Sequence, residues 1–197
     1  MKKKFNQVYQ FKITLKGSKA LIWRRIQVPE TYSFWDLHVA IQDAMGWLDY
    51  HLHEFEMVGL STGLSVNIGL PDEEFDREVL PGWRQKIADY FSLENRSADY
   101  TYDFGDGWKH KIQLEKILTR EKDIIYPICI NGKRACPPED CGGIWGYEDF
   151  LEIIRDPNHE EHERMLEWIG GEFDPEHFDP QKIIFDDPDK RRKIAFG

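Results

Sequence analysis

The chain has 197 residues, 41% of them hydrophobic, with seven tryptophans and twelve phenylalanines. That composition excludes disorder and allows one good core, or one core with a smaller helical lobe. No apolar run approaches the roughly 20 residues that cross a bilayer, and Lys2-Lys3-Lys4 leads straight into alternating residues, so neither a membrane span nor a secretory signal is expected. The net charge of -10 is unevenly placed: Met1 to Pro29 hold eight Lys or Arg and no acid, whereas Glu148 to Asp179 hold twelve acids against Arg155 and Arg164. Total charge is therefore a poor guide to partners, because an acidic lobe and a basic face can coexist. Three closely spaced cysteines, an odd count, suit a reducing cytoplasm better than a disulfide framework.

Residues 7 to 15 alternate, with Tyr9, Phe11, Ile13 and Leu15 against Val8, Gln10, Lys12 and Thr14, and predict a strand. Gly17-Ser18 turns the chain into a second strand, Leu21 to Val28, ended by Pro29. Ser33 can cap a helix whose apolar stripe is Phe34, Leu37, His38, Ile41 and Met45, and Gly46 stops it. Strands are predicted at about His51 to Val58 and Leu64 to Ile68, with a short helix around Arg84 to Phe91. Two more strands, Ala98 to Phe104 and Trp108 to Leu118, flank a turn built on Gly105-Asp106-Gly107. Helices follow at about Tyr147 to Arg155 and His159 to Ile169. Hairpin connections dominate, which predicts an α+β fold: a largely antiparallel sheet with helices packed on one face and a helical C-terminal portion. We read one domain over residues 5–185 and a C-terminal tail over 186–197.

The chemistry candidates are few. His110 lies with the apolar face Trp108, Ile112 and Leu114 of its strand, and a half-buried imidazole there suits a proton donor, a metal ligand or a satisfied core residue. His38 and His53 also fall on apolar faces, and His51 shares a side with His53. Convergence of His38, His51, His53 and His110 would make a site for zinc or another divalent metal; the alternative is a set of separate structural histidines. Asp106, at the hairpin tip, and Glu115 are candidates to activate water beside His110, although Glu115 faces away from it on an ideal strand. Cys129, Cys136 and Cys141 form C-x6-C-x4-C without a C-x2-C knuckle, a weaker metal signal that equally suits small buried thiols. His159-Glu-Glu-His162 has its histidines three apart and does not fit a metalloprotease helix. Lys12, Lys16, Lys109 and Lys111 lie on the polar faces of their strands and would form a phosphate-binding patch if those strands are neighbours, with Arg24 or Arg25 nearby.

The run Trp47…His51-Leu-His53-x-Phe55, then Tyr102-Asp-Phe-Gly-Asp-x-Trp-x-His110-x-Ile112-x-x-Glu115, then Cys129…Gly132-x-x-Ala-Cys-Pro-Pro-Glu-Asp-Cys-Gly-Gly143 closely resembles the plasmid pRiA ORF-3-like family. Gly146-Tyr-x-x-Phe150 and Phe173-Asp-Pro…Phe178-Asp179 fit it too. The resemblance implies a compact α+β domain associated with plasmids and with passenger genes of transposable elements, some of them carrying a resolvase-like label. It assigns no catalytic residue. Two functional classes are therefore open: a non-enzymatic binding or accessory protein with a nucleic-acid or protein partner, and a metal-dependent hydrolase with a histidine/carboxylate site.

Overall fold

The computed structural model describes residues 4–59, 62–71 and 78–196. Lys2, Lys3 and residues 72–77 of the charged interval after Pro71 lie outside them. One eight-stranded sheet runs through the molecule in the order β5-β4-β3-β6-β7-β1-β2-β8. Its strands are β1 (Gln7–Leu15), β2 (Trp23–Pro29), β3 (His53–Val58), β4 (Ser65–Gly69), β5 (Leu80–Pro81), β6 (Ser97–Tyr102), β7 (Trp108–Thr119) and β8 (Ile128–Lys133). All neighbours are antiparallel except the two-residue β5, which pairs parallel to β4. The fold is α+β, as the hairpin-rich pattern predicts.

Helix α1 (Phe34–Met45) covers one face of the sheet. Its start is set locally: Ser33 Oγ accepts from Asp36 N–H, and Asp36 accepts from Ser33 N–H in return. Gly46 ends it at φ 93°, a left-handed conformation that costs glycine nothing. The sequence shows a one-sided stripe, yet Trp35, Val39 and Gln42 are buried as well. The second covering is helix α4 (Pro188–Phe196), whose first carbonyl accepts from Trp35 Nε1 at 3.0 Å. Arg191 of α4 also reaches Asp43 at 2.8 Å. Residues 186–197, read from sequence as a tail, thus carry a docked helix. Helices α2 (Gly143–Arg155) and α3 (His162–Ile169) pack together, and Tyr147 and Phe150 of α2 enter the same core as Phe11, Phe34 and Phe55.

Three local expectations are corrected. The helix expected around Arg84 to Phe91 is only a 3-10 turn, Ile87–Asp89, because Pro81, Gly82 and the backbone bonds to Tyr32 and Phe34 hold this segment in contact with α1. The strand expected to reach Phe104 stops at Tyr102, where Asp103 takes φ 54°. The hairpin loop spans 103–107 and closes with Gly107 N–H to Asp103 O, so the positive angles sit at Asp103 and Gly107, not at Gly105.

Candidate functional site

The sheet face opposite α1 has no helix on it among the described residues, and its side chains gather on β1, β2 and β7. Register places Lys12 opposite both Arg25 and Gln113, Thr14 opposite Lys111, and Lys16 N–H on Lys109 O. The four lysines therefore share one face of adjacent strands. Lys109 and Lys111 are exposed, about 7 Å apart by strand geometry. Lys12 and Arg25 both approach the Trp23 ring, at 5.1 and 4.9 Å. Acids temper the patch: Lys16 pairs with Asp99 at 2.6 Å, Arg25 holds Glu115 through Nε and Nη2 at 2.6 and 2.8 Å, and Glu56 lies beside Asp99 on the next strand. A bulge in the β1–β7 pairing at Gln10/Phe11 leaves Glu115 on this open face, where Gln10 also donates to it. The Arg25 guanidinium holds its carboxyl below the usual range. Glu115 lines an open cleft of about 550 Å³ with Arg25, Arg96, Gln113 and Lys116, on the far side of the sheet from His110. Arg24, by contrast, points into the core.

On the helix side, His38, His53 and His110 all lie fully within the core. They do not meet at one point. The His38 and His53 rings stack with centroids 3.4 Å apart and planes 8° off parallel, whereas His110 sits beyond Tyr100, 5.5 Å from its ring. A single neutral tautomer accounts for every link around His38. Gln42 donates to Tyr100 Oη at 2.9 Å, Tyr100 donates to His38 Nδ1 at 2.8 Å, and His38 Nε2–H donates to Asp49 at 2.7 Å. Arg191 lies 3.7 Å from the other Asp49 oxygen. Among the described residues, neither nitrogen of His53 has a hydrogen-bond partner. The ligand atoms of His38, Asp49 and His53 are close enough for an ion. Parallel rings, however, direct their lone pairs along parallel planes, so no single ion lies in both.

These burials set a pH dependence. Desolvation holds His38 and His53 well below the ordinary histidine value and lowers His110 to about 3. Below about pH 6.5 the unfolded chain binds protons that the native core refuses, so stability falls as pH drops, by up to about 1.4 kcal/mol per unit for each group. Asp49, raised to about 6 chiefly by burial, acts in the opposite sense, since the native carboxyl is protonated first. Urea unfolding between pH 6.5 and 5 is expected to show a net loss of about 1–3 kcal/mol per unit, and a shallower slope for His53→Phe. A flat profile would contradict the neutral-histidine core.

At the end of the sheet, the hairpin loop 103–107 meets the cysteine- and glycine-rich loop before α2. Gly143, at φ 67°, permits the approach, because a Cβ there would sit 2.3 Å from Asp106 O. Asp106 accepts from Gly142 N–H at 3.2 Å, so it ties the two loops together and does not face His110. His51, Asp103 and Asp140 converge at this junction with ligand atoms within 4.8 Å of one another. Asp49 and Asp103 escaped the sequence reading. Their one signal was an aspartate next to a predicted element end, where a left-handed angle is tolerated.

Cys129, Cys136 and Cys141 are free thiols, and burial raises all three, Cys141 to about 12. They join no group of converging ligand atoms among the described residues. His162 bonds to Ile153 O at 3.1 Å and joins α3 to α2. No helix of the described residues is long and apolar enough to cross a membrane.

This architecture, with the His51-Leu-His53, Tyr102-to-His110 and Cys136-to-Gly143 motifs in order, defines a class. The chain belongs to the family described as Plasmid pRiA4b ORF-3-like protein, matched over residues 7–182. It is similar to the uncharacterized protein y4hQ of Sinorhizobium fredii (strain NBRC 101917 / NGR234), 38% identical over 165 residues that span 83% of this chain and 81% of the relative. It is also similar to a solved structure, the protein of unknown function MM3350 from Methanosarcina mazei Go1, with a TM-score of 0.87 and 53% identity over 92% of this chain and 100% of that one.

Proposed function

We propose that this protein is a non-enzymatic, cytoplasmic accessory protein of mobile-element type that holds nucleic-acid phosphates on its open sheet face. The observation that carries the reading is the shared face of Lys12 on β1, Lys16 just past its end, and Lys109 and Lys111 on β7, with no helix above them among the described residues. Arg25, Arg96 and Lys116 extend the same positive surface around the neighbouring cleft. The acidic helices do not oppose a ligand there, because α2 packs into the core on the other side of the sheet. Lysine ammonium groups make point-charge contacts to phosphate, so the expected binding is strong at low salt and nearly indifferent to sequence. The hydrolase reading has less support. Glu115 lies across the sheet from His110, Asp106 is engaged by Gly142, and His38 has both ring nitrogens committed.

Fluorescence anisotropy with labelled oligonucleotides of mixed sequence tests the reading. Four phosphate contacts predict a slope of log K against log salt of about -3 for single strands, an affinity loss of roughly 50-fold between 50 and 200 mM salt. Undetectable binding at low salt, or a slope near zero, would overturn it.

A further inference from the structure

We infer that His51, Asp103 and Asp140 form a binding site for a first-row divalent transition cation of the Zn2+ type, a site separate from the lysine face. His51 Nε2 lies 3.1 Å from Asp140 Oδ1 and 3.7 Å from Asp103 Oδ2. These separations bracket the edge of about 3.4 Å expected between ligands that each sit about 2.1 Å from a tetrahedral ion. A simple ion pair accounts for only part of the arrangement. The one Nε2–H of His51 can serve Asp140 at 3.1 Å, and 3.7 Å is too long for a second bond. Asp103 is only 8% exposed, and its other oxygen, Oδ1, already accepts from the amides of Gly105 and Asp106. Its Oδ2 is thus turned towards His51 and Asp140 with no hydrogen bond among the described residues. Two carboxylates within 4.8 Å of each other, with one imidazole between them, are balanced by a divalent charge better than by a single proton.

The donor set selects the ion. An imidazole nitrogen with two carboxylates favours zinc and its neighbours over magnesium, which prefers an all-oxygen octahedron. Asp103 is fixed by the two loop amides, and His51 lies edge-on to the Tyr102 ring at 5.8 Å, so two of the three ligands are positioned before an ion arrives. Asp140 is largely exposed, and three protein ligands leave the remaining coordination position open to water.

The test uses the full chain without an affinity tag, stripped with chelator and titrated with ZnCl2 by calorimetry, with MgCl2 as the comparison. The expected result is one equivalent of Zn2+ bound and no competition from Mg2+. His51→Gln and Asp140→Asn should each weaken Zn2+ by about 10- to 100-fold while the metal-free variants unfold at the wild-type temperature. On the wild-type chain, Zn2+ should move the imidazole resonances of His51 and leave those of His38 and His53 in place. The inference is overturned if wild type shows no saturable Zn2+ binding, if both variants bind as wild type does, or if the resonances that move belong to His38 and His53.

Discussion

Arg24→Met is expected to lower the unfolding free energy by about 3 kcal/mol. Arg24 is 1% exposed, and its guanidinium is the meeting point of three elements. Nε donates to Ala44 O at the end of α1 at 2.8 Å, and Nη1 donates to Trp23 O and to Lys133 O of β8 at 2.9 and 3.1 Å. The group also lies 3.9 Å above the Phe178 ring. Burial lowers its pKa, but an arginine retains its charge even so. It therefore supplies the cation that the last turn of α1 lacks in its own sequence. Methionine keeps an apolar stem and removes every donor, so the buried Ala44 carbonyl and the part-buried carbonyls of Trp23 and Lys133 lose a partner at once. Urea unfolding of Arg24→Met measures the cost. A loss below about 1 kcal/mol would mean that these carbonyls find other partners.

The double substitution Lys109→Glu and Lys111→Glu is expected to reduce nucleic-acid affinity by 100-fold or more at low salt and to remove about two contacts' worth of salt dependence. Both side chains are exposed on β7, so stability should change by less than about 1 kcal/mol. That separation makes the pair informative: a loss of binding with an intact unfolding curve points to the face itself. Equal affinity for the double variant and the wild type would place any binding elsewhere.

How much of this was legible in the chain varies with the range of the forces involved. The strand β1 and helix α1 were readable because their determinants are local: period-two alternation for one, Ser33, a 3.6-residue stripe and Gly46 for the other. Polarity also put the four lysines on one side, and it needed only the β1–β7 neighbour relation to become a patch. Three features depended on tertiary partners instead. Strand β8 has no clean alternation, since Asn131 and Gly132 interrupt it, and it exists because β2 offers an edge. Helix α4 has no apolar stripe, and its docking rests on Arg191 and on the Trp35–Phe196 ring contact. The histidines were correctly expected on apolar faces, but facing one layer does not make side chains converge. Tyr100, on the strand between them, separates His110 from the His38–His53 stack. Asp49 and Asp103 were hidden for a different reason: a lone aspartate after a helix or strand is common, and only the folded chain brings His38 to one and His51 to the other.

The most direct test of phosphate binding on the open sheet face is a backbone amide chemical-shift titration of the isotope-labelled protein with a short oligonucleotide at low salt. The perturbed amides should map to Lys12 of β1 and Lys16 just beyond it, Arg25 of β2 and Lys109 and Lys111 of β7, those of α2 and α3 should stay in place, and the shifts should reverse on adding salt. Perturbations confined to α2 and α3, or none at saturating oligonucleotide, would contradict it.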